Sequence, residues 1–371
     1  MNIEIVKYNS IYDDQICILE KENWGPDLKV NKSYLKWKYF ENPYSDSPKL
    51  YLVISGGKLI ALRGMYETRW QLGDSAESFI ALCSSDLVIM PEYRNMGIYN
   101  ELMNFSINNL HKLGYIYMFN FSASPVNFIG SLATGWKSIG RIKRMRKSSY
   151  TSPLIKKIVS INAIRRFIKK SGVIKILRKI TENLEISDEG YEYLKKTPPQ
   201  IEIDKNPKPD EMASLVKKLN PKNKITLSRD EKYFSWRYKN PISNYLFLYW
   251  HDDGLKGYLV AQTPLYNNDT FNVVELEAVN SEIKMELLKT LLSTSSLRLI
   301  YIWSKMLDKN LHKFLLSNRF SEDDSNKGAA TSPATILVRT TNQSHNRIEF
   351  QGCNLLDIDN WDLKMIYSDV Y

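Results

Sequence analysis

The chain has 371 residues, 43% hydrophobic and 25% charged, the balance of a globular protein with room for two domains. No apolar run approaches the ~20 residues of a membrane span, Met1-Asn-Ile-Glu-Ile-Val lacks the pattern of a signal peptide, and three dispersed cysteines with four scattered histidines give no disulfide framework or zinc pattern, so a reduced cytoplasmic protein without metal is expected. The net charge of +10 is uneven: Leu102–Thr181 holds sixteen Lys and Arg and no acid, so +10 less +16 leaves −6 elsewhere, and an anionic partner is expected.

Ile3–Val6 reads as a first strand and Asp13–Glu22 as a helix ending at the turn Trp24-Gly-Pro26. Ser33 is a candidate N-cap for a helix that Pro43 stops at Asn42. Leu50–Ile54 and Leu59–Met65 flank Ser55-Gly-Gly-Lys58, a hairpin signal, and Thr68–Leu72 and Phe79–Val88 extend the sheet. Asn100–Leu113 has helical spacing, Tyr115–Phe121 reads as a buried strand, Asn127–Thr134 as a short helix and Lys137–Met145 as a strand.

Between that strand and that helix lies Val88-Ile-Met-Pro-Glu-Tyr-Arg-Asn-Met-Gly-Ile-Tyr99. A strand that breaks at Pro91 and restarts as a helix near Gly97 presents free amides and a partial positive charge, suited to a pyrophosphate. Arg94 adds charge, and Gly97 lets the backbone approach the anion.

Residues 152–180 interleave apolar stripes with basic residues around Ser171-Gly172 and read as two amphipathic helices. Three occupants of their greasy and basic faces stand open: the domains they link, an anionic membrane surface through 153–180, and nucleic acid, the last without interleaved aromatics to support it. After the breaks at Pro198-Pro199 and Pro207–Pro209, Glu211–Leu219 reads as a helix. Then Tyr233-Phe-Ser-Trp-Arg-Tyr-Lys-Asn-Pro241 repeats Tyr34-Leu-Lys-Trp-Lys-Tyr-Phe-Glu-Asn-Pro43 with one residue removed. Strands at Tyr245–Trp250, Gly257–Gln262 and Phe271–Val279, helix Glu282–Leu292, strand Leu297–Trp303 and helix Lys309–Ser317 complete a tandem duplication. Domains are expected at 1–150 and 200–371, joined by a basic helical linker at 151–199. The stretch matching Val88–Tyr99, Ala278-Val-Asn-Ser-Glu-Ile-Lys284, has neither Arg nor Gly, so only the first copy is expected to hold a phosphate-bearing cofactor.

Val88–Tyr99 resembles the acyl-CoA signature of the GNAT N-acyltransferases, and the order of elements agrees, with Asn127 and Gly135-Trp136 where that family has Asn and Gly-Phe. The resemblance covers residues 1–150 well and 200–340 in outline. It implies an α+β fold of two GNAT-like domains, each a mixed, mostly antiparallel sheet flanked by helices, and an acyl-CoA-dependent N-acyltransferase. The C-terminal Asn360-Trp-Asp-Leu363 and Ser368-Asp369 are similar to two-domain acyltransferases of surface-polysaccharide synthesis, which implies a nucleotide-linked 4-amino-4,6-dideoxy sugar as acceptor. By the resemblance, backbone groups at Val88 and Met90 pair with pantetheine and polarise the thioester. Arg94, Asn95, Met96, Gly97, Ile98 and Tyr99 hold the pyrophosphate, and Asn127 meets the leaving-group end. Two departures stand out. Tyr99 replaces a small residue, so its ring must turn away from the anion, and Ser131 stands where the family often has an acidic tyrosine.

No general base declares itself. Asp86 alternates with Ser84 on the signature strand, so both are expected to face the acyl site, with Asp86 read either as a base or sugar contact or as a structural carboxylate bonded to backbone. Cys83 reads as a core residue, and direct attack without a covalent intermediate is expected. The repeated aromatics read as packing, while Tyr66 and Trp70 are alternatives for stacking on a base or sugar. The rival functions are a protein or peptidoglycan-precursor acyl- or aminoacyltransferase and a non-enzymatic membrane-associated scaffold.

Overall fold

Residues 49–89 are rich in aliphatic and β-branched residues, with turn formers at Gly56-Gly57 and Gly73-Asp74, and they form three long antiparallel strands. These are β2 (Lys49–Ser55), β3 (Lys58–Leu72) and β4 (Ser78–Ile89), with β1 (Glu4–Lys7) on the edge of β2. The computed structural model describes residues 3–123, 125–148, 198–267, 270–294, 299–322, 334–342, 348–369 and 371. The expected linker 151–199, apart from its last two residues, and its stretch 153–180 lie outside them. Strand β5 (Tyr117–Ala123) runs parallel to β4, but pairs with it only from Ala81↔Tyr117 to Cys83↔Phe119. Beyond that row the two strands part. One face of the sheet packs on α1 (Asp13–Leu19), α2 (Lys21–Trp24) and α3 (Leu28–Tyr39), the other on α4 (Ile98–Lys112) and α5 (Pro125–Ala133).

The second half repeats this plan. Helix α6 (Pro209–Leu219) and helix α7 (Glu231–Arg237) precede a meander of β10 (Ser243–His251), β11 (Leu255–Pro264) and β12 (Thr270–Ala278). After α8 (Ser281–Thr294), β13 (Leu299–Trp303) lies parallel to β12, followed by α9 (Lys309–Ser317). Each half therefore holds one parallel strand pair at the same point of an otherwise antiparallel order. Each also carries a bulge on its central strand, where the register skips Asp86 in β4 and Val274 in β12.

The sheets do not follow cuts at 150 and 200. The expected strand Lys137–Met145 is two strands: β6 (Lys137–Ile142) stays in the first sheet, while β7 (Arg144–Ser148) crosses to pair with β13. In return β15 (Ala334–Thr340) enters the first sheet between β5 and β6, and β9 (Ile225–Leu227) pairs with the end of β3. The second sheet is edged by β8 (Ile201–Asp204) and β14 (Ser321–Glu322). Locally, Asp27 rather than Ser33 caps α3, accepting from the amides of Lys29 (2.8 Å) and Val30 (3.3 Å). Ser33 lies inside the helix, its hydroxyl bonded back to the Lys29 carbonyl.

The repeated motifs meet each other. Trp37 and Trp236 stack with ring centroids 5.1 Å apart, and each indole N–H donates to the other's backbone carbonyl at 2.8 Å. The C-terminal residues lie along this junction. Trp361 and Tyr367 pack edge-on against Trp70 of the first sheet, and Lys364 pairs with Glu277 of the second. Among the described residues no helix is long and apolar enough to cross a membrane.

Candidate active site

The bulge at Asp86 decides which side chains share a face. Asp86 sits at φ +45°, in the left-handed region, so the alternation expected for Ser84 and Asp86 is broken. Asp86 joins Ser85 on the side of α3. Its carboxylate accepts from the Trp24 indole (3.0 Å) and the Tyr39 hydroxyl and pairs with Lys38 at 2.9 Å. Ser84 lies on the other face, buried, its hydroxyl without a partner among the described residues. Gly64 makes room for this arrangement, since a Cβ there would collide with the Tyr39 hydroxyl.

Lys38 is the hub. Its ammonium is 1% exposed and reaches Asp86, Asp369 (2.8 Å), the Ser85 hydroxyl and the Tyr34 hydroxyl (3.3 Å). Burial pulls its pKa down, but the two carboxylates outweigh burial and hold it well above the ordinary value. Burial likewise pushes Asp369 up, and Lys38, the Ser85 hydroxyl and Arg237 more than reverse it, so this carboxyl is held low. Asp369 bridges the parted strands, accepting from Ser85 on β4 and from Ser122 on β5 at 3.5 Å. Glu20, wholly buried, is raised well above the carboxylate range by burial and then by Asp86. The site thus gathers three carboxylates and one ammonium among Trp24, Tyr34 and Tyr39. Sequence reading found Asp86 alone. Glu20 and Lys38 lie near one end of the chain and Asp369 near the other, and no pattern in the sequence brings them together with Asp86.

On the far side of the gap, Ile89 gives way to a single 3₁₀ turn at Pro91–Tyr93, and α4 starts at Ile98 with Gly97 at φ +80°. No side chain caps this helix, and the amides of residues 95–99 meet no backbone carbonyl among the described residues. A Cβ at Gly97 would point into open space, so the glycine is there for its backbone angle. Arg94 folds back, Nε to the Ile89 carbonyl at 3.0 Å, while Asn95 takes a left-handed angle and Met96 is exposed. Tyr99 turns its ring onto Gly130 of α5. A groove of about 450 Å³ runs beside this helix, lined by Asn100, Asn104, Leu132, Ala133, Thr134 and Gly135. These free amides and the uncapped start fit a diphosphate.

Other expected residues fall differently. The Met90 amide is already used, donating to the Ile60 carbonyl at 2.9 Å, and Val88 faces β3 in the same register, opposite Leu62. By strand alternation the backbone groups directed toward the gap are those of Leu87 and Ile89, the Ile89 carbonyl already accepting from Arg94 Nε. Ser131 is buried at the end of α5 and does not line the groove; Asn127 lies in the first turn of α5, its side chain outside what is described. Trp70 is wholly buried against Phe119, Phe121 and Trp361, and Tyr66 lies under Lys38, so neither offers a stacking platform. Cys83 is buried, its thiol pushed up to about 12 by burial, which fits a core residue. No group of metal-ligating side chains occurs among the described residues.

The matching place in the second half is closed. The Asn280 side chain accepts from the Ile283 amide at 2.9 Å, capping the helix end left open at Gly97. Glu275 and Glu277 are neutralised by Arg229 at 3.2 and 2.8 Å, and Val274 occupies the bulge.

No family model and no curated protein matches the chain. Solved structures do. A GCN5-related N-acetyltransferase from Anabaena variabilis aligns over 92% of this chain and 73% of its own, at 12% identity and TM-score 0.58. A tandem GNAT protein from the clavulanic acid biosynthesis pathway aligns over 92% and 99%, at 10% identity and TM-score 0.54, and a probable N-acyltransferase from Enterococcus faecalis over 92% and 73%, at 10% and 0.55. The fold is therefore that of two GNAT-like domains in tandem.

Proposed function

We propose that the chain is an N-acyltransferase that takes its acyl group from acyl-CoA. The observation that carries this reading is the open helix end at Gly97, reached from a β4–β5 gap and retained in only one of two copies. In the proposed complex Arg94 and the amides of residues 95–99 hold the pyrophosphate, and the groove beside α4 takes the nucleotide end. Once Arg94 turns from the Ile89 carbonyl to the pyrophosphate, the Leu87 and Ile89 backbone bonds the pantetheine arm, and an amide there can polarise the thioester carbonyl.

The acceptor amine enters on the α3 side, where Asp86 and Asp369 attract an ammonium. The ammonium first gives one proton to water, and attack by the neutral amine then forms the C–N bond and breaks the C–S bond. The thiolate leaves, and the amine proton passes to a carboxylate of the Lys38 cluster or to water. Nothing in this needs a covalent enzyme intermediate, in keeping with the buried Cys83 thiol. For the acceptor we retain the class the sequence resemblance implies, a nucleotide-linked amino sugar of glycan synthesis. An aminoacyl-tRNA donor would have no use for the diphosphate turn.

Thermal melting with CoA tests the donor. At ligand a hundredfold above Kd, linkage adds about 2.7 kcal/mol of stability, and Arg94→Glu should remove most of the shift. Absence of a shift with CoA and every acyl-CoA tried would sink the proposal. Thiol release with a panel of nucleotide-linked amino sugars then tests the acceptor.

A further inference from the structure

Among the described residues, most buried cations meet a carboxylate. Lys38 has Asp86 and Asp369, Lys49 has Glu67, Arg229 has Glu275 and Glu277, and Lys364 has Glu277. Three do not: Arg237 spends its donors on the Tyr245 hydroxyl and the Ser368 and Tyr371 carbonyls, while the other two lie close to where β4 and β5 part. Arg63 on β3 is 6% exposed and Arg339 on β15 is 4% exposed, and neither forms an ion pair among the described residues. Arg63 Nη1 donates to the Ser85 carbonyl and Arg339 Nε to the Thr340 carbonyl, each at 3.3 Å. Arg63 Nε and Arg339 Nη1, like the Ser84 hydroxyl, are buried without a partner among the described residues.

All three side chains share a face. Strand alternation puts Arg63 with Ala61 and Met65, Ser84 with Leu82, and Arg339 with Leu337. Those apolar neighbours pack with Ile98 and Leu102 of α4, so the set lies under the start of that helix. In register, Ser84 is the first residue past the last β4–β5 pair, and Arg339 stands opposite Met118, itself opposite Leu82. Burial lowers the pKa of both guanidiniums; Tyr99 opposes it at each, and at Arg63 so do Tyr39, Asp86 and Asp369 without reversing it. In the second half the position of Arg63 is held by Val260, so the cation belongs to the copy with the open helix end.

A buried cation without a counterion costs several kcal/mol, and its free donors are suited to an anion that arrives with a ligand. The diphosphate is expected at the turn itself, so the group that reaches the foot of the gap is the acyl end. Building on the acyl-CoA reading above, we propose that Arg63, Arg339 and Ser84 form a subsite for a carboxylate on the acyl group, so that the donor is the CoA thioester of a dicarboxylic acid.

The test is binding, with the full chain and no acceptor. CoA, butyryl-CoA and succinyl-CoA are titrated by calorimetry and thermal melting, with propionyl-CoA and malonyl-CoA as a shorter pair. The dicarboxylic thioester should bind at least tenfold tighter than its apolar partner of equal length. Arg63→Met and Arg339→Met should each collapse that ratio while leaving the affinity for CoA itself unchanged. Equal or tighter binding of the apolar thioesters by the unaltered protein overturns the proposal, whatever the variants do. So does a loss of CoA affinity in both variants as large as the loss for succinyl-CoA, which would assign the arginines to the cofactor's own phosphates. Failure of CoA itself to bind would instead refute the acyl-CoA reading on which this one rests.

Discussion

Glu20 and Lys38 show how the candidate site is held in tension. Glu20 has a raised pKa, so its charged form is disfavoured in the folded state. Below the ordinary value of 4.5 it is protonated folded and unfolded alike and costs nothing; above it the unfolded chain ionises first and stability falls. Glu20→Gln should therefore raise Tm at pH 7 and leave it nearly unchanged at pH 4, as melts across that range would show. Lys38→Met acts the other way, because it leaves Asp86 and Asp369 buried without their cation. A loss of about 3–5 kcal/mol in urea unfolding is expected, and it should shrink as pH falls, because without Lys38 burial raises the Asp369 carboxyl and a proton can then replace the lost cation. Of this cluster only Asp86 was legible, from its place on the signature strand. The face it occupies was not, since one extra residue in a strand reverses alternation and leaves no mark in composition.

At the scale of elements, the helices and hairpins followed from periodicity and turn residues, and the repeated Trp–basic–Tyr motif identified α3 and α7 as counterparts. That the two motifs touch could not be read, because a repeat says nothing about where its copies lie. Strands β9 and β15 escaped for a related reason: three to seven residues become strands only when a distant edge or gap receives them. The Trp37–Trp236 contact combines ring stacking with two reciprocal hydrogen bonds. Trp37→Ala should cost about 3–5 kcal/mol. A double-mutant cycle with Trp236→Ala should show coupling of about 0.5–3 kcal/mol; additive losses would mean that the two indoles act independently.

Across the whole molecule, the exchange of β7 and β15 between sheets and the lie of the C-terminal residues tie the halves together. Arg237 of the second motif donates to the carbonyls of Ser368 and Tyr371, while Asp369 between them serves Lys38 of the first. Neither half can unfold without opening the other's core. Urea unfolding followed by far-UV circular dichroism and by tryptophan fluorescence should give coincident transitions. Two separated steps would show that the halves are independent. The expected boundaries at 150 and 200 were drawn from the repeat and from the basic stretch and proline breaks between its copies, none of which marks strand exchange.

The paired indole bonds have the form of an isologous contact, the same patch meeting its counterpart across a two-fold axis. A homodimer built on such a contact must give both subunits every residue that either needs. Joining the copies in one chain lifts that requirement, and each place in the second copy becomes free to serve the first. Here Asn280 shuts one helix end, Val274 takes the place of an aspartate, and Arg237 holds the segment that delivers Asp369 to the other copy. Two folds are thus spent on one site, and CoA should saturate the chain at one equivalent rather than two.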